Sequence, residues 1–223
     1  MKTNCVCRRG FTLIELLVVL AVIGVMMGIL LPAVMGGLDA GKTAHCQNNL
    51  SQIGKAIPSY ASDNKDSLPY FNLNATTRWD LSLLPYVGQA TNVFWCVADL
   101  NPVPTLDRIS YGANGYTDGD HPFRRSGAGN PPAKLREFDT DNMGDLILIA
   151  DLNSSDAALK PRFGLGTVQV VRTGRWPNLH KKLTAGNYLM ASSAVRKFLT
   201  SDPMLTKSSG QGNLWFFVAP PAP

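Results

Sequence analysis

The chain has 223 residues, of which 45% are hydrophobic and 17% are charged, and its formal net charge is +5. The length allows one or two domains with a buried core, and the hydrophobic content excludes a mainly disordered chain. Four cysteines are too few for a disulfide-dense small scaffold. The charged fraction lies below the roughly 25% of soluble domains, which indicates that part of the chain does not face water.

The first feature along the chain is a long apolar segment. Residues 16–38 are 23 consecutive positions without a charge, and about 20 apolar residues are enough for a helix to cross a membrane. Lys2, Arg8 and Arg9 lie before the apolar stretch that begins at Phe11, and residues 1–10 contain no acid, so the positive-inside rule predicts a cytoplasmic N-terminus and a translocated C-terminal part. The segment exceeds the about 7–15 apolar residues of a secretory signal peptide, which predicts that it is retained.

Glu15 is an unusual residue at the start of this segment. A carboxylate inside the membrane costs about 2.5–3.5 kcal/mol on insertion scales, so such an acid indicates a function and requires a partner. A position close to the membrane interface would make the cost modest. The residue types alone leave both interpretations open.

The residues from Arg9 to Glu15, RGFTLIE, resemble the cleavage and methylation motif of type IV prepilins and type II secretion pseudopilins. The resemblance implies that prepilin peptidase cuts between Gly10 and Phe11 and methylates the new amine of Phe11. It also implies that Glu15 neutralises the α-amine of a neighbouring subunit in a filament. The partners it implies are the membrane, prepilin peptidase and other pilin or pseudopilin subunits in a homo- or hetero-oligomeric filament.

Further landmarks resemble a bacterial subgroup of pseudopilin-like proteins and occur in the order found in that subgroup. They are the stretches Cys46–Gly54, Leu83–Tyr86, Phe94–Cys96, Ser110–Asn114 and Leu146–Asp151. The chain departs from the subgroup after His180, because Ser192 and Ser193 replace an Asp-Gly turn. Serines can occupy turns, so the sequence leaves the hairpin possible but does not carry over any role of the missing Asp-Gly.

The spacing of Leu50, Ile53, Ile57 and Tyr60 predicts that the apolar helix continues outward with one buried face and ends near Ser62. Beyond it, residues 101–132 contain many Gly, Pro, Asn and Asp and predict a surface loop, with a turn signal at 114–115. Runs rich in β-forming residues predict strands at Leu146–Ala150, Thr167–Val171, Asn187–Met190, Val195–Leu199 and Leu214–Val218.

These elements predict an α+β fold, in which a long N-terminal membrane-spanning helix packs on a small antiparallel β-sheet head, and this agrees with the pilin-like fold that the resemblance implies. The predicted boundaries are a cytoplasmic leader peptide at 1–10 and a transmembrane or filament-core helix at 11–38. The outer half of the helix follows at 39–62, and the globular head at 63–223.

Cys5 and Cys7 lie in the predicted leader, which leaves Cys46 and Cys96 as a pair in an oxidising compartment. A disulfide between them would close a loop of about 50 residues and stabilise the fold by about 4 kcal/mol in the chain-entropy model. Two free buried thiols are the alternative, because sequence does not show the geometry of the two side chains.

Asp139–Gly144 superficially resembles a calcium loop. Such a loop needs an oxygen ligand where Met143 stands and a glutamate where Ala150 stands, so the match fails. Asp118 and Asp120 are other conceivable ligands, but a solvated turn is the preferred interpretation. No metal site is predicted.

Catalytic patterns are also missing from the sequence. His45, His121 and His180 do not have the spacing of metal ligands, and no nucleophile elbow or phosphate-binding loop occurs. We therefore predict no cofactor and no catalytic residue, and the protein is predicted not to be an enzyme.

Most of the excess of basic over acidic residues lies in the predicted leader. Removing Lys2, Arg8 and Arg9 from the 21 basic residues leaves 18 against 16 acidic residues. No nucleic-acid partner is therefore expected.

The prediction is a structural subunit of a pilus- or pseudopilus-like filament, processed by prepilin peptidase, in a type II-like secretion apparatus. Its predicted location is the bacterial inner membrane, as a single-pass protein with the head in the periplasm or in an extracytoplasmic filament. The alternative is a signal-anchored envelope protein whose periplasmic head binds a ligand or acts as an enzyme.

Overall fold

The structure is a computed structural model. It describes residues 11–70, 72–74, 77–99, 109–116, 123–124, 133–138, 146–151, 180, 185–199 and 202. The chain divides into two compact units, Met1–Gly41 and Lys42–Pro223. Helix α1, Leu13–Asp63, supplies residues to both units.

In the first unit, α1 exposes apolar side chains over its whole surface. Across the part of the chain that the structure describes, the exposed large apolar side chains lie between Phe11 and Leu38, apart from Val97 and Leu199. By length and composition, α1 is the one helix among the described residues that could cross a membrane. An exposed apolar surface of this size marks a segment that lipid or another protein covers.

In the second unit, α1 has one buried face, as its hydrophobic spacing predicts. Leu50, Ile53 and Ile57 are buried and Tyr60 packs against the same core. The helix ends at Asp63, one residue beyond the predicted end, and a turn with left-handed backbone angles at Lys65 and Asp66 follows.

The head is built from short elements. The described strands are β1 Asn72–Asn74, β2 Thr77–Arg78, β3 Tyr111–Ala113, β4 Gly115–Tyr116, β5 Phe123–Arg124, β6 Ile147–Asp151, β7 Ala185–Met190 and β8 Val195–Leu199. The described helical segments after α1 are α2 Trp79–Leu83 and three 3-10 segments, Leu84–Val87, Thr91–Phe94 and Leu135–Phe138.

The main sheet has four antiparallel strands in the order β3-β6-β7-β8. Its register places Tyr111 opposite Asp151 and Ala150 opposite Tyr188. The buried face of α1 and this sheet share one core, and the predicted α+β, pilin-like arrangement is confirmed. The pairs β1-β2 and β4-β5 form two small separate sheets.

The predicted strands over β6, β7 and β8 are confirmed to within two residues at each end. The predicted strands at 167–171 and 214–218 lie outside the described residues. The predicted surface loop at 101–132 is wrong in part, because it contains β3, β4 and β5.

The turn predicted at 114–115 is also wrong. The side-chain amide of Asn114 donates to the Ile147 carbonyl at 2.7 Å, and its backbone N–H donates to the Leu148 carbonyl at 2.7 Å. Asn114 therefore extends the contact between β3 and β6 and does not close a hairpin. Pairing with a strand that is distant in sequence outweighs the local turn preference of Asn-Gly.

The hairpin between β7 and β8 forms without Asp-Gly. The backbone N–H of Met190 donates to the Ala194 carbonyl at 2.8 Å, and Ser193 adopts a left-handed φ of 61°. Tyr188 and Phe198 face each other across the two strands with ring centroids 5.4 Å apart. The serine replacement is therefore compatible with the turn.

The head core combines an aromatic cluster with a close contact between α1 and β7. Trp79 makes edge contacts with Phe94 and Phe123, with ring centroids 5.7 and 6.4 Å apart. Gly54 lies so near Leu189 that an added Cβ would be 2.8 Å from the Leu189 Cδ1 atom. The absence of a side chain at Gly54 therefore sets how closely α1 approaches the sheet.

We predict that Gly54→Leu lowers the free energy of unfolding of the head by about 1–3 kcal/mol, because the new side chain overpacks the contact with Leu189. Gly41→Leu is the matched control, since a Cβ at Gly41 meets no atom within 4 Å and the gain in helix propensity is the same. Urea unfolding of both variants in detergent, followed by tryptophan fluorescence, measures the difference. Equal stabilities would show that the close contact does not limit packing.

Candidate functional sites

The start of α1 is held by the Thr12 and Glu15 side chains. The backbone N–H and the hydroxyl of Thr12 both donate to Glu15 Oε2, at 2.8 and 2.7 Å. The backbone N–H of Glu15 lies 3.4 Å from the Thr12 hydroxyl oxygen. This reciprocal arrangement is a capping box, which provides partners for backbone N–H groups that no helical carbonyl can reach.

The capping box gives Glu15 a local partner that the sequence interpretation missed. The signal was present, because Thr followed three residues later by Glu is the sequence pattern of this motif. Phe11 is exposed and lies just before the helix, whereas Gly10 lies outside the described residues. Cleavage between Gly10 and Phe11 remains a prediction, as does the role of Glu15 in assembly.

In the head, Cys46 and Cys96 form a disulfide, with their Cα atoms 5.1 Å apart. Cys46 lies on the buried face of α1, and Cys96 follows the 3-10 segment Thr91–Phe94. Both side chains are completely buried. The bond joins the helix to a segment that is 50 residues away in sequence.

His180 packs directly against this disulfide. An isolated antiparallel bridge with Ala185 places His180 beside the start of β7. Its Nε2 atom lies 3.5 Å from Cys96 Sγ and 3.2 Å from Asp151 Oδ2. Its Nδ1 atom lies 3.2 Å from the hydroxyl oxygen of Thr43, one helical turn before Cys46 on α1.

Asp151, the last residue of β6, completes the polar cluster. Its Oδ2 atom accepts a hydrogen bond from the backbone N–H of Asn187 at 2.7 Å. Among the residues that the structure describes, no group bonds to its other oxygen, Oδ1. Burial raises the pKa of Asp151 above its usual range, although the hydrogen bonds from His180 and Asn187 act in the opposite direction. Burial, aided by the charge of Asp151, also raises the pKa of Tyr111.

Cys46, Cys96 and His180 are thus a group of buried metal-type donors whose ligand atoms lie within 4.8 Å of one another. The sequence analysis assigned no metal site and no role to His180, because the three residues and Asp151 are far apart along the chain. No spacing rule identifies donors that meet only through the packing of a helix on a sheet. His45 is exposed, and the other considered sites (Asp118, Asp120, His121 and Asp139–Gly144) lie outside the described residues.

We predict that the free energy of unfolding of Asp151→Asn rises relative to that of the wild type as the pH increases. The change is expected between the ordinary aspartate pKa of 3.8 and the raised pKa of the folded state. A buried acid with a raised pKa binds its proton more tightly when folded, so the unfolding free energy of the wild type falls as the acid ionises. The amide variant has no such step.

Unfolding curves of both proteins across the acid range measure this difference. Asp66→Asn is the control, because it makes the same chemical change at a carboxylate that is not buried and that pairs with Arg136. A constant difference between Asp151→Asn and the wild type would contradict the prediction.

Comparison with known proteins supports the interpretation of the N-terminal segment. Residues 6–31 match the model of the prokaryotic N-terminal methylation motif. The chain is 34% identical over 57 residues to type II secretion system core protein G of Pseudomonas aeruginosa, a match that covers 26% of this chain and 40% of that protein. It is also 34% identical to fimbrial protein Q of Moraxella bovis over 36% of this chain and 59% of that protein.

The matches thus span about half the length of these curated relatives. No solved structure gives a significant match. The resemblance to type IV prepilins and type II secretion pseudopilins is confirmed: the chain matches the N-terminal methylation motif, continues into a long apolar helix, and is similar to a type II secretion core protein and to a fimbrial protein.

Proposed function

We propose that this protein is a structural subunit of a pilus- or pseudopilus-like filament. The observation that carries the proposal is the methylation motif at residues 6–31 joined to a helix with exposed apolar side chains from Phe11 to Leu38. Such a surface is stable in lipid or against other apolar helices, but not in water. A subunit that is stored in a membrane and later packed in a filament core needs this kind of surface.

The charges beside the helix support one orientation in the membrane. Lys2, Arg8 and Arg9 precede the apolar segment, and basic residues are retained on the cytoplasmic side. The proposed topology is a single pass through the inner membrane, with the leader in the cytoplasm and the head on the other side. Prepilin peptidase would then meet the bond between Gly10 and Phe11 at the cytoplasmic face.

Glu15 has a proposed role in assembly. Cleavage before Phe11 creates an α-amine one residue before Thr12, whose backbone and hydroxyl bind Glu15 Oε2. The capping box keeps the carboxylate at the helix start, where the α-amine of a neighbouring subunit can approach it. In an apolar bundle this contact removes the cost of two unpaired charges and sets the axial register of the neighbours.

Within this proposal, a type II-like secretion apparatus is the preferred setting, and the similarity to core protein G is the observation that favours it. The similarity to fimbrial protein Q makes a pilus the second candidate. The competing function is a signal-anchored envelope protein whose head binds a ligand or catalyses a reaction. The two classes differ in what happens to the leader.

We expect the mature protein to begin at N-methylated Phe11. Co-expression with a prepilin peptidase, followed by N-terminal sequencing and intact mass measurement, tests this: residues 1–10 are lost and one methyl group is gained. Gly10→Leu is the control, because a bulky side chain next to the cut bond should retain the leader. An intact Met1 in the wild type would overturn the proposal and favour the signal-anchored alternative.

We also expect Glu15→Leu to insert into the membrane normally but to fail in filament assembly, because the neighbouring α-amine loses its counter-charge. Glu15→Gln separates this effect from helix capping, since glutamine also serves in a capping box but carries no charge. Membrane fractionation and electron microscopy of sheared filaments measure the two steps. Normal filaments from Glu15→Gln would show that the charge is not required.

A further inference from the structure

The buried cluster in the head contains more donor chemistry than a structural disulfide needs. Cys46 comes from α1, Cys96 from the segment after a 3-10 turn, Asp151 from the end of β6, and His180 from the bridge to β7. All four side chains are completely buried. Two sulfurs, one imidazole nitrogen and one carboxylate oxygen therefore meet in a place closed to water.

Two distances within the cluster match those between the ligands of one tetrahedral zinc ion, whereas the two sulfurs, which are bonded to each other in the disulfide, must separate after reduction to bind the same ion. With Zn–S near 2.3 Å and Zn–N and Zn–O near 2.0–2.2 Å, a sulfur and a nitrogen ligand lie about 3.5 Å apart, and a nitrogen and an oxygen ligand about 3.3 Å apart. Here His180 Nε2 lies 3.5 Å from Cys96 Sγ and 3.2 Å from Asp151 Oδ2. Cys46 Sγ, Cys96 Sγ and an imidazole nitrogen of His180 lie within 4.8 Å of one another, and Asp151 joins this group through its contact with His180.

The groups around these donors are also arranged as in a metal site. A histidine that binds a metal through Nε2 carries its hydrogen on Nδ1 and donates it to an acceptor, which fixes the ring. His180 Nδ1 lies 3.2 Å from the Thr43 hydroxyl oxygen, and the Asn187 backbone N–H orients the Asp151 carboxylate from 2.7 Å. A divalent cation would also compensate the buried charge of Asp151, whose Oδ1 atom has no hydrogen-bond partner among the described residues.

We propose that, when the disulfide is reduced, Cys46, Cys96, His180 and Asp151 bind a single zinc ion. The head then has two alternative cross-links, the disulfide and the zinc site. A dithiol or a phosphine supplies the two electrons and is itself oxidised, while two protons from solvent convert the disulfide into two thiols. Zn²⁺ then displaces both thiol protons, and two Zn–S bonds, one Zn–N bond and one Zn–O bond form. The oxidised sulfurs are bonded to each other and do not bind the ion.

This proposal concerns the head alone and does not rest on filament assembly. Either cross-link connects α1 to the segment at Cys96, so α1 stays docked whether the two cysteines are oxidised or reduced and bound to zinc. Reduction without metal would leave two thiols, a buried histidine–carboxylate pair and no covalent or metal link between α1 and the segment at Cys96.

Cobalt titration tests the proposal, because Co²⁺ in a tetrahedral thiolate site absorbs in the near ultraviolet and visible. The protein is the full chain in detergent with Cys5→Ser and Cys7→Ser, which remove the thiols of the leader. Mass measurement after alkylation first separates the oxidised form, which has no free thiol, from the form reduced by a phosphine. We expect the reduced form to bind one Co²⁺ per chain with this spectrum, Zn²⁺ to displace it, and the oxidised form to bind none.

Three variants connect the signal to the cluster. His180→Ala should weaken binding about a hundredfold or more, and Thr43→Val, which removes the hydroxyl beside His180 Nδ1, about tenfold. His45→Ala replaces an exposed histidine on the same helix and should leave the affinity unchanged.

A reduced wild-type chain that binds neither Co²⁺ nor Zn²⁺ overturns the proposal, whether or not that chain is folded, because binding and folding of such a site are coupled. Equal binding by His180→Ala, or by the oxidised form, would place the metal elsewhere and also overturn it.

Discussion

The second half of α1 is docked in the head by packing, a hydrogen bond and a disulfide, which come from β7 and from the segment at Trp95 and Cys96. Gly54 admits Leu189 of β7 at close range, Asn49 donates its side-chain amide to the Trp95 carbonyl at 2.8 Å, and Cys46 is bonded to Cys96. Without this helix the apolar face of a short four-stranded sheet would be open to water, and small sheets are stable only when a packed layer covers them. The position of the strands and of the buried polar cluster therefore depends on the docking of α1 in the head.

The two parts of helix α1 have different surfaces. Up to Leu38 its side chains are apolar and exposed, whereas from Lys42 to Asp63 it has one buried and one polar face. Helix α1 thus has, in its first part, the surface of a segment that lipid or another protein covers, and in its second part it is the central element of the head. The capping box at Thr12 and Glu15 begins this helix with its own side chains, so the first turn does not need an external partner to be formed.

The polar cluster is an unusual addition to a small core. Buried polar groups stabilise a unique arrangement when all of them have partners and destabilise the fold when they do not. Here His180 contacts Cys96, Asp151 and Thr43 at once, which links the helix, the sheet and the disulfide. The chemistry of the two sulfurs consequently affects the environment of a histidine and a carboxylate that are distant in sequence.

Much of this protein was predictable from local patterns. The apolar run, the buried face of α1 and strands β6, β7 and β8 follow from composition, periodicity and short-range propensity, whereas the motif from Arg9 to Glu15 was identified by its resemblance to a known family. Strand β3 and the role of Asn114 were not predictable, because their partner β6 lies far along the chain and their Gly and Asn residues locally favour turns. The meeting of His180 with Asp151, Cys46 and Cys96 was decided only by the tertiary structure, since long-range packing brings together donors whose spacing in the sequence carries no signal.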